Sequence, residues 1–234
     1  MNDARVEHRH PSVVEETWWF CAAADGVGVH ASLTLRPGQQ QAWWSAALVR
    51  AGEPLVTISA FDIALPPRGL EIRTDGIWAC LTCETPMEHW SVGLESFAVE
   101  VDEPDDERGD LVAFGLDLEW EAVGPGRPDP AGAGYGQACD VSGEVLLGAD
   151  RIDLTAGGHR RHLWGTPAPR VDLAGTGADG SRWWRSGPDA TDGFAVDEVG
   201  RSPVAFPDRP ATNTLCRMTA DSGETGWGWL SRRL

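Results

Sequence analysis

Residues 26–49, GVGVHASLTLRPGQQQAWWSAALV, decide the fold class of this 234-residue chain. Over 26–35, apolar side chains alternate with small or polar ones, at Val27, Val29, Ala31, Leu33 and Leu35. A two-residue period is typical of a half-buried β-strand. The segment 37–40, PGQQ, predicts a turn, and 42–49 predicts the returning strand.

Strand patterns continue along the rest of the chain. They cover 55–65, 70–75, 77–84, 89–102, 111–121, 135–148, 150–158, 214–220 and 226–234. Residues 165–210 hold only the short candidates RVDLAG, SRWWRS and GFAVDE. No segment sustains a 3.6-residue period with caps at both ends. Short strands separated by turn signals predict an all-β sandwich or barrel.

A Pro/Gly-rich run without apolar periodicity, GPGRPDPAGAG at 124–134, predicts a hinge. We therefore expect a flexible N-terminus over 1–14, one β unit over 15–123 and a second over 135–234. The two units are expected to pack together as antiparallel barrels or half-barrels and not to behave as independent domains.

Composition excludes several classes of function. The formal net charge is −17, which disfavours nucleic acid and anionic membrane surfaces as partners. All 19 Lys-plus-Arg residues are Arg, so mechanisms that need a lysine amine are excluded. The chain has 12 Trp against one Tyr. Trp combines a large apolar body with one N–H donor and suits both a core and the wall of an apolar cavity. A small hydrophobic ligand or substrate is the expected partner.

The cysteines give no sign of a disulfide framework or a metal site. They number five, at Cys21, Cys80, Cys83, Cys139 and Cys216. Cys80 and Cys83 form a CxxC, but residues three apart on a strand point to opposite faces. We expect no metal and no cofactor. The N-terminal residues lack the apolar core of a signal peptide, and no apolar run approaches the roughly 20 residues of a membrane helix, so a cytoplasmic protein is expected.

Three segments together resemble a known superfamily: ETWWFCAAADGVGVHASLTL near the start, CETPMEHWSVGLESFAVEVDEP in the middle, and YGQACDVSGEVLLGADRIDLTAGGHRRHLWG after the hinge. The chain is similar here to the lipocalin-like superfamily of carotenoid 1,2-hydratase (hydroxyneurosporene synthase), which also holds natural-product cyclases such as Diels–Alderases and a terpene cyclase. The resemblance covers residues 15–165 and implies two lipocalin- or calycin-like β units with an apolar ligand pocket.

The most specific part of the resemblance is GGHRRHLWG at 157–165. The usual pattern is G-x-R-D-H-S-W-G, so Arg160, His162, Trp164 and Gly165 match. Arg161 stands where the family usually has Asp. A carboxylic acid is a natural proton donor to an alkene, and a guanidinium is not. The departure implies that chemistry depending on that acid is lost here.

On a strand, Arg160, His162 and Trp164 share one face, with His159 and Arg161 on the other. The first interpretation is a pocket wall, in which His162 and Arg160 are catalytic and the remaining residues contact substrate. The second is a structural motif that closes the barrel, with Arg and His bonding loop carbonyls and Trp filling the core.

Other candidates lie outside this segment. His89, Asp117 and Glu119 are catalytic candidates, since an inward carboxylate in a barrel would have a raised pKa and could act as an acid. The remaining candidates for substrate contact are Glu84, Trp90, Trp120, Tyr135 and Gln137.

Three functions follow from these patterns. The first is a cofactor-independent enzyme that cyclises or isomerises a hydrophobic polyene, polyketide or isoprenoid in a Trp-lined pocket. The second is a hydratase or lyase that acts on an alkene through an acid–base pair. The third is a non-catalytic binder of a small apolar ligand.

Overall fold

The computed structural model describes residues 7–233 except 11, 107, 131 and 167, and leaves the side chains of 205 and 209 undescribed. These residues form sixteen strands and the 3-10 helix Pro37–Gln39, with no α-helix. The first eight strands are β1 (Glu15–Ala24), β2 (Val27–Arg36), β3 (Gln41–Arg50), β4 (Leu55–Ala64), β5 (Glu71–Arg73), β6 (Ile77–Thr85), β7 (His89–Val101) and β8 (Asp110–Ala122). The others are β9 (Arg127–Pro128), β10 (Ala133–Leu147), β11 (Asp150–Gly165), β12 (Arg170–Gly177), β13 (Arg182–Ser186), β14 (Phe194–Phe206), β15 (Arg209–Ala220) and β16 (Thr225–Arg233). The all-β prediction is confirmed, and no described helix could cross a membrane.

Local sequence sets the first hairpin. Asp25 and Gly26 join β1 to β2 with φ of 49° and 80°. Two consecutive positive φ values are what a two-residue type I′ turn requires, and Asp-Gly is a preferred pair for it. The turn fixes the register, in which Ala24 faces Val27 and Trp18 faces Leu33.

Eight of the described strands close into an antiparallel barrel in the order β1-β2-β3-β4-β7-β8-β10-β11, with β11 pairing back onto β1. The closing contact is short: Leu55, Val56 and Thr57 of β4 pair with Val101, Glu100 and Val99 of β7. Farther along, β7 pairs instead with β6, and β5 extends that edge. This ring of strands confirms the antiparallel barrel that the sequence predicted.

The barrel interior is filled with side chains. On β1, Trp18, Phe20 and Ala22 point into the barrel core. Trp19 and Cys21 belong to a separate cluster on the outer face, where the second sheet packs. Since both faces of β1 are covered, almost every one of its residues is buried. A ligand would therefore have to lie outside this packed interior.

The second sheet has the order β13-β12-β16-β15-β14 among the described strands. It covers the outer face of β1 through Ala174, Leu215 and Trp229. The Trp229 Nε1–H donates to the Ala22 carbonyl at 2.9 Å, which ties the two layers together. The structure therefore consists of a closed barrel with an open sheet packed on it, in line with the two packed antiparallel units that we predicted.

The chain changes sheets between Gly165 and Arg170. The predicted hinge at 124–134 lies between β8 and β10, which are neighbours in the barrel. Thus β10 and β11, assigned by sequence to the second unit, complete the first. The pairing of β11 with β1 brings residues far apart in sequence side by side, which a search for local boundaries cannot detect. Of the predicted flexible N-terminus, residues 1–6 lie outside the described residues, and Glu7 is packed into the barrel.

Candidate functional site

A group of polar side chains is buried at one end of the barrel. The strand period places Glu16 on β1, Tyr135 and Gln137 on β10, and Arg160 and His162 on β11 with their side chains on the inner face. Register brings them together, because Tyr135 is opposite His162 and Gln137 is opposite Arg160. All five are at most 2% exposed. We call this group the barrel-end site.

Glu7 completes the site from outside the sheet. The Arg160 Nη2–H donates to Glu7 Oε1 at 2.8 Å, and the Tyr135 hydroxyl donates to Glu7 Oε2. The Met87 backbone N–H donates to Oε1 at 2.9 Å, and the Trp90 Nε1–H lies 3.4 Å from the same oxygen. Burial raises the pKa of the Glu7 carboxyl, but the hydrogen bonds and charge of Arg160 outweigh it and leave that pKa below its ordinary value. Glu7 is therefore a carboxylate.

Arg160 is held by several partners at once. Its Nη1–H also donates to the Tyr135 hydroxyl at 2.6 Å, and its Nη2–H donates to the Gln137 side-chain oxygen. Gln137 is fixed in turn, because its amide donates to the Met87 carbonyl at 2.9 Å. The guanidinium carbon of Arg160 lies 5.5 Å from the centroid of the Trp90 ring. A buried cation with this many fixed neighbours is preorganised to stabilise negative charge.

His162 and Glu16 form a buried dyad. Nε2 of His162 lies 2.7 Å from Glu16 Oε1, and neither side chain is more than 1% exposed. Burial raises the pKa of the Glu16 carboxyl, but the hydrogen bond and charge of His162 and two hydrogen bonds from His10 leave it below its ordinary value. Burial lowers the pKa of His162, and the opposing effect of Glu16 does not reverse the direction.

These directions assign the tautomer of His162. A neutral imidazole that donates Nε2–H to Glu16 carries its lone pair on Nδ1. Among the described residues, Nδ1 has no hydrogen-bond partner, and Nε2 is fixed by the dyad. The ring is stacked on Trp18 at 4.2 Å and lies edge-on to Tyr135 at 6.0 Å between centroids. The dyad is thus a fixed neutral base beside the Arg160–Tyr135 pair.

His10 and Trp164 lie at the outer edge of the dyad. Nδ1 of His10 lies 2.7 Å from Glu16 Oε1, and its ring is stacked on Trp164 at 4.1 Å. His10, Glu16 and His162 are close enough together to be considered as metal ligands. A metal on His162 Nε2 would place the ring hydrogen on Nδ1, which meets no acceptor in the part of the chain described. The set therefore fits a hydrogen-bonded triad better than a metal centre.

Arg161 and His159, on the opposite face of β11, are directed toward the second sheet. Nη1 of Arg161 lies 2.7 Å from Asp172 on β12, and both are 2% exposed. Position 161 faces away from Arg160 and His162, so Arg161 lies outside the barrel-end site and links the two layers. His159 borders a separate cavity of about 230 Å³ with Trp183 and Trp184, and burial lowers its pKa to about 3.

The other sequence candidates fall into two groups. Trp90 belongs to the site, and Trp120 is buried deeper, against Phe20. His89, Glu119, Asp117 and Glu84 lie on the outer side of the barrel wall: His89 and Glu119 form a half-exposed pair at 2.6 Å, and Asp117 and Glu84 are exposed. Their strands alternate, and Trp90, Leu118 and Trp120 take the inner positions. The structure does not bring these four residues to the barrel-end site.

Sequence reasoning missed Glu7, His10 and Glu16. Glu16 stands just before the apolar run TWWFCAAA, two residues before Trp18. Residues two apart on a strand share a face, so this spacing could have predicted that Glu16 points inward with Trp18. Glu7 and His10 precede the first strand and follow no periodic pattern, so their burial depends on the tertiary fold alone.

Comparisons with known proteins add a family and a fold. Residues 3–185 match the model of a family described as a domain of unknown function, DUF7064. Kievitone hydratase from Nectria haematococca has a similar structure, with a TM-score of 0.50 and 10% sequence identity over 92% of this chain and 88% of that chain. At this identity the likeness shows the fold. A search of curated proteins finds no significant match.

Proposed function

Since the chain belongs to the DUF7064 family, whose description names no activity, we propose from the site itself that it adds water to, or removes water from, an alkene next to a carbonyl group in a hydrophobic substrate. The observation that carries this proposal is the neutral His162, held by Glu16 at 2.7 Å, beside the buried Arg160 and Tyr135. The likeness of the fold to a hydratase agrees with it.

His162 is the base of the proposed reaction. An ionised Glu16 orients the ring through Nε2 and stabilises the imidazolium that forms when Nδ1 takes a proton. Burial keeps Nδ1 unprotonated near neutral pH, because it lowers the pKa of His162. Base catalysis of this kind contributes roughly 100- to 10,000-fold in rate.

Arg160 and Tyr135 stabilise the negative charge. In the forward direction, a water oxygen bonds to the β-carbon while Nδ1 of His162 takes one water proton. The alkene electron pair moves toward the carbonyl, whose oxygen becomes an enolate oxygen that accepts hydrogen bonds from Arg160 and Tyr135 in the place of the Glu7 carboxylate. The proton on His162 then passes to the α-carbon, which restores the neutral base and yields the β-hydroxy product. The reverse sequence is a dehydration.

Cyclisation or isomerisation is the second candidate, favoured by the aromatic residues at the same end. Trp18 and Trp90 are buried beside His162 and Arg160, and Trp164 is half-buried at the outer edge. Large aromatic faces hold a polyene in one reactive conformer without any acid. Such a reaction leaves the mass of the substrate unchanged.

Mass spectrometry of a host metabolite extract, incubated in water labelled with the heavy oxygen isotope, tests the proposal. The proteins compared are the wild type, His162→Gln, which keeps a side chain able to bond Glu16, and Glu53→Gln, a control in an exposed turn. We expect the wild type and the control to convert a compound with gain or loss of one water, with label in hydration products, and His162→Gln to be slower by at least about 100-fold. Conversion without mass change would support the second candidate. A compound retained but returned unchanged by all three proteins would refute both and indicate a carrier.

A further inference from the structure

The carboxylate of Glu7 fills an anion site that is built by the barrel. Its donors are two guanidinium N–H groups of Arg160, the Tyr135 hydroxyl, the Met87 backbone N–H and the Trp90 indole N–H. These donors come from β11, β10, the β6–β7 turn and β7, whereas the acceptor comes from a segment outside both sheets. Five donors that converge from four places on one carboxylate make a specific receptor for such a group.

A groove begins where Glu7 sits. It has a volume of about 550 Å³, and its lining combines the apolar Leu70, Leu81, Cys83 and Trp90 with polar and charged residues, among them Arg9, Arg68 and Glu71. Leu70 and Leu81 belong to the barrel core and are 8% and 3% exposed, so they form the fixed, apolar part of the groove wall. A carboxylate in the place of Glu7 could therefore carry an apolar chain along this wall.

The described residues of the segment that carries Glu7, 7–10, have further contacts to the barrel. Between Glu7 and His10, the recorded contacts to the barrel are those of Arg9 to the Pro66 and Gly69 carbonyls, at 2.8 and 3.3 Å, and those of His10 to Glu16 and the rings of Trp164 and His162. These contacts include no buried apolar side chain from the segment. A ligand carboxylate would replace the contacts of Glu7 at Arg160 and Tyr135, so the contacts of Arg9 and His10 are what oppose the displacement.

We propose that the barrel end is a binding site for an apolar monocarboxylic acid, and that Glu7–His10 occupies it from within the chain until such an acid displaces Glu7. The carboxylate of the acid takes the five donors of Glu7, and its tail lies in the Leu70–Leu81 groove. The proposal rests on the proposed function only for what becomes of the bound acid, which would be an unsaturated acid next to His162. The apparent affinity for the acid is then its intrinsic affinity multiplied by the fraction of time that Glu7 leaves the site open.

Decanoate, with decanol and acetate as comparison probes, tests the binding claim without any turnover. The variants are Glu7→Gln, which keeps the shape but loses the charge, Glu7→Ala, and the control Glu53→Gln. The readouts are the fluorescence of Trp90 and its neighbours and the unfolding temperature. We expect Glu7→Gln to bind decanoate at least about 10-fold more tightly than the wild type. Decanol should bind these two proteins equally.

Rescue by acetate separates a ligand site from a structural ion pair. Removing Glu7 leaves the Arg160 cation buried without its partner, so Glu7→Ala should unfold at a lower temperature. Acetate at about 100 times its Kd should restore roughly 5–10 °C to Glu7→Ala and nothing to the wild type or Glu53→Gln. If Glu7→Ala does not fold, the decanoate affinity of Glu7→Gln decides alone. Equal affinity in Glu7→Gln and the wild type would overturn the proposal, whereas intact decanoate binding without conversion would count against the proposed function only.

Discussion

The Arg161–Asp172 contact between barrel and second sheet gives a stability prediction with a definite size. Asp172 accepts from Arg161 at 2.7 Å and from Arg170 Nε and Nη2 at 2.7 and 2.9 Å. Burial raises the pKa of the Asp172 carboxyl, but these two guanidinium groups outweigh it and lower that pKa from 3.8 to about 2. The lowered pKa corresponds to roughly 2–3 kcal/mol in favour of the ionised form.

Asp172→Asn removes that charge and leaves two guanidinium groups without their shared partner. Breaking a buried pair costs about 3–5 kcal/mol, so we expect the free energy of unfolding at pH 7 to fall by about 3 kcal/mol. The measurement is urea denaturation followed by Trp fluorescence. Asp153→Asn is the control, because Asp153 is 82% exposed at 3.1 Å from Arg151, and such a pair contributes at most about 1 kcal/mol.

The pH dependence gives a second reading of the same contact. The pKa of Asp172 is depressed in the folded state, so its stabilisation is complete above the unfolded pKa of 3.8 and is lost as pH falls toward about 2. The difference in free energy of unfolding between the wild type and Asp172→Asn should therefore be about 1 kcal/mol smaller at pH 3 than at pH 5. A loss no larger than that of Asp153→Asn, or a gap that stays constant with pH, would refute the reasoning.

Two further predictions concern packing and thiol reactivity. A Cβ at Gly28 would lie 2.7 Å from Leu215 Cδ1 and 2.8 Å from Trp229 Cζ2, so Gly28→Ala should lower the free energy of unfolding by about 1–3 kcal/mol in urea; an unchanged midpoint would contradict this. In the native protein, a thiol reagent at pH 8 should modify at most Cys80 and Cys83, because the other three cysteines are buried. Cys83 should react slowly, since burial raises its pKa to about 11. Rapid modification of all five cysteines would contradict the packing of the two layers.

The fold could be predicted from the sequence wherever apolar residues alternate with small or polar ones along a strand. Alternation marked β2, β7 and β8 and the final hairpin of β15 and β16, because their inner positions are apolar and many outer ones polar. It failed for β1, whose sequence EETWWFCAAA is buried on both faces and shows no alternation. The extent of the barrel was missed for a related reason: the pairing of β1 with β11 is long-range and leaves no local signal.

The candidate site was predictable in part. Arg160, His162 and Trp164 were found on one strand face, and Tyr135 and Gln137 on another, from spacing and resemblance. The grouping of these residues depends on the β10–β11 register, and their partners Glu7 and Glu16 are supplied by remote segments. For Asp117 and Glu119 the sequence left the two faces of the strand undecided, and the neighbouring Leu118 and Trp120 take the inner one.

The protonation state of His162 tests the central claim most directly. Nitrogen NMR of the protein labelled at its histidine rings reports both ring nitrogens without any substrate. We predict that His162 is neutral at pH 7, protonated on Nε2 and bare on Nδ1, and that it stays neutral just below pH 6.5, because burial lowers its pKa from that value. A ring protonated on Nδ1, or one that gains its second proton at or above pH 6.5, would contradict its role as the base.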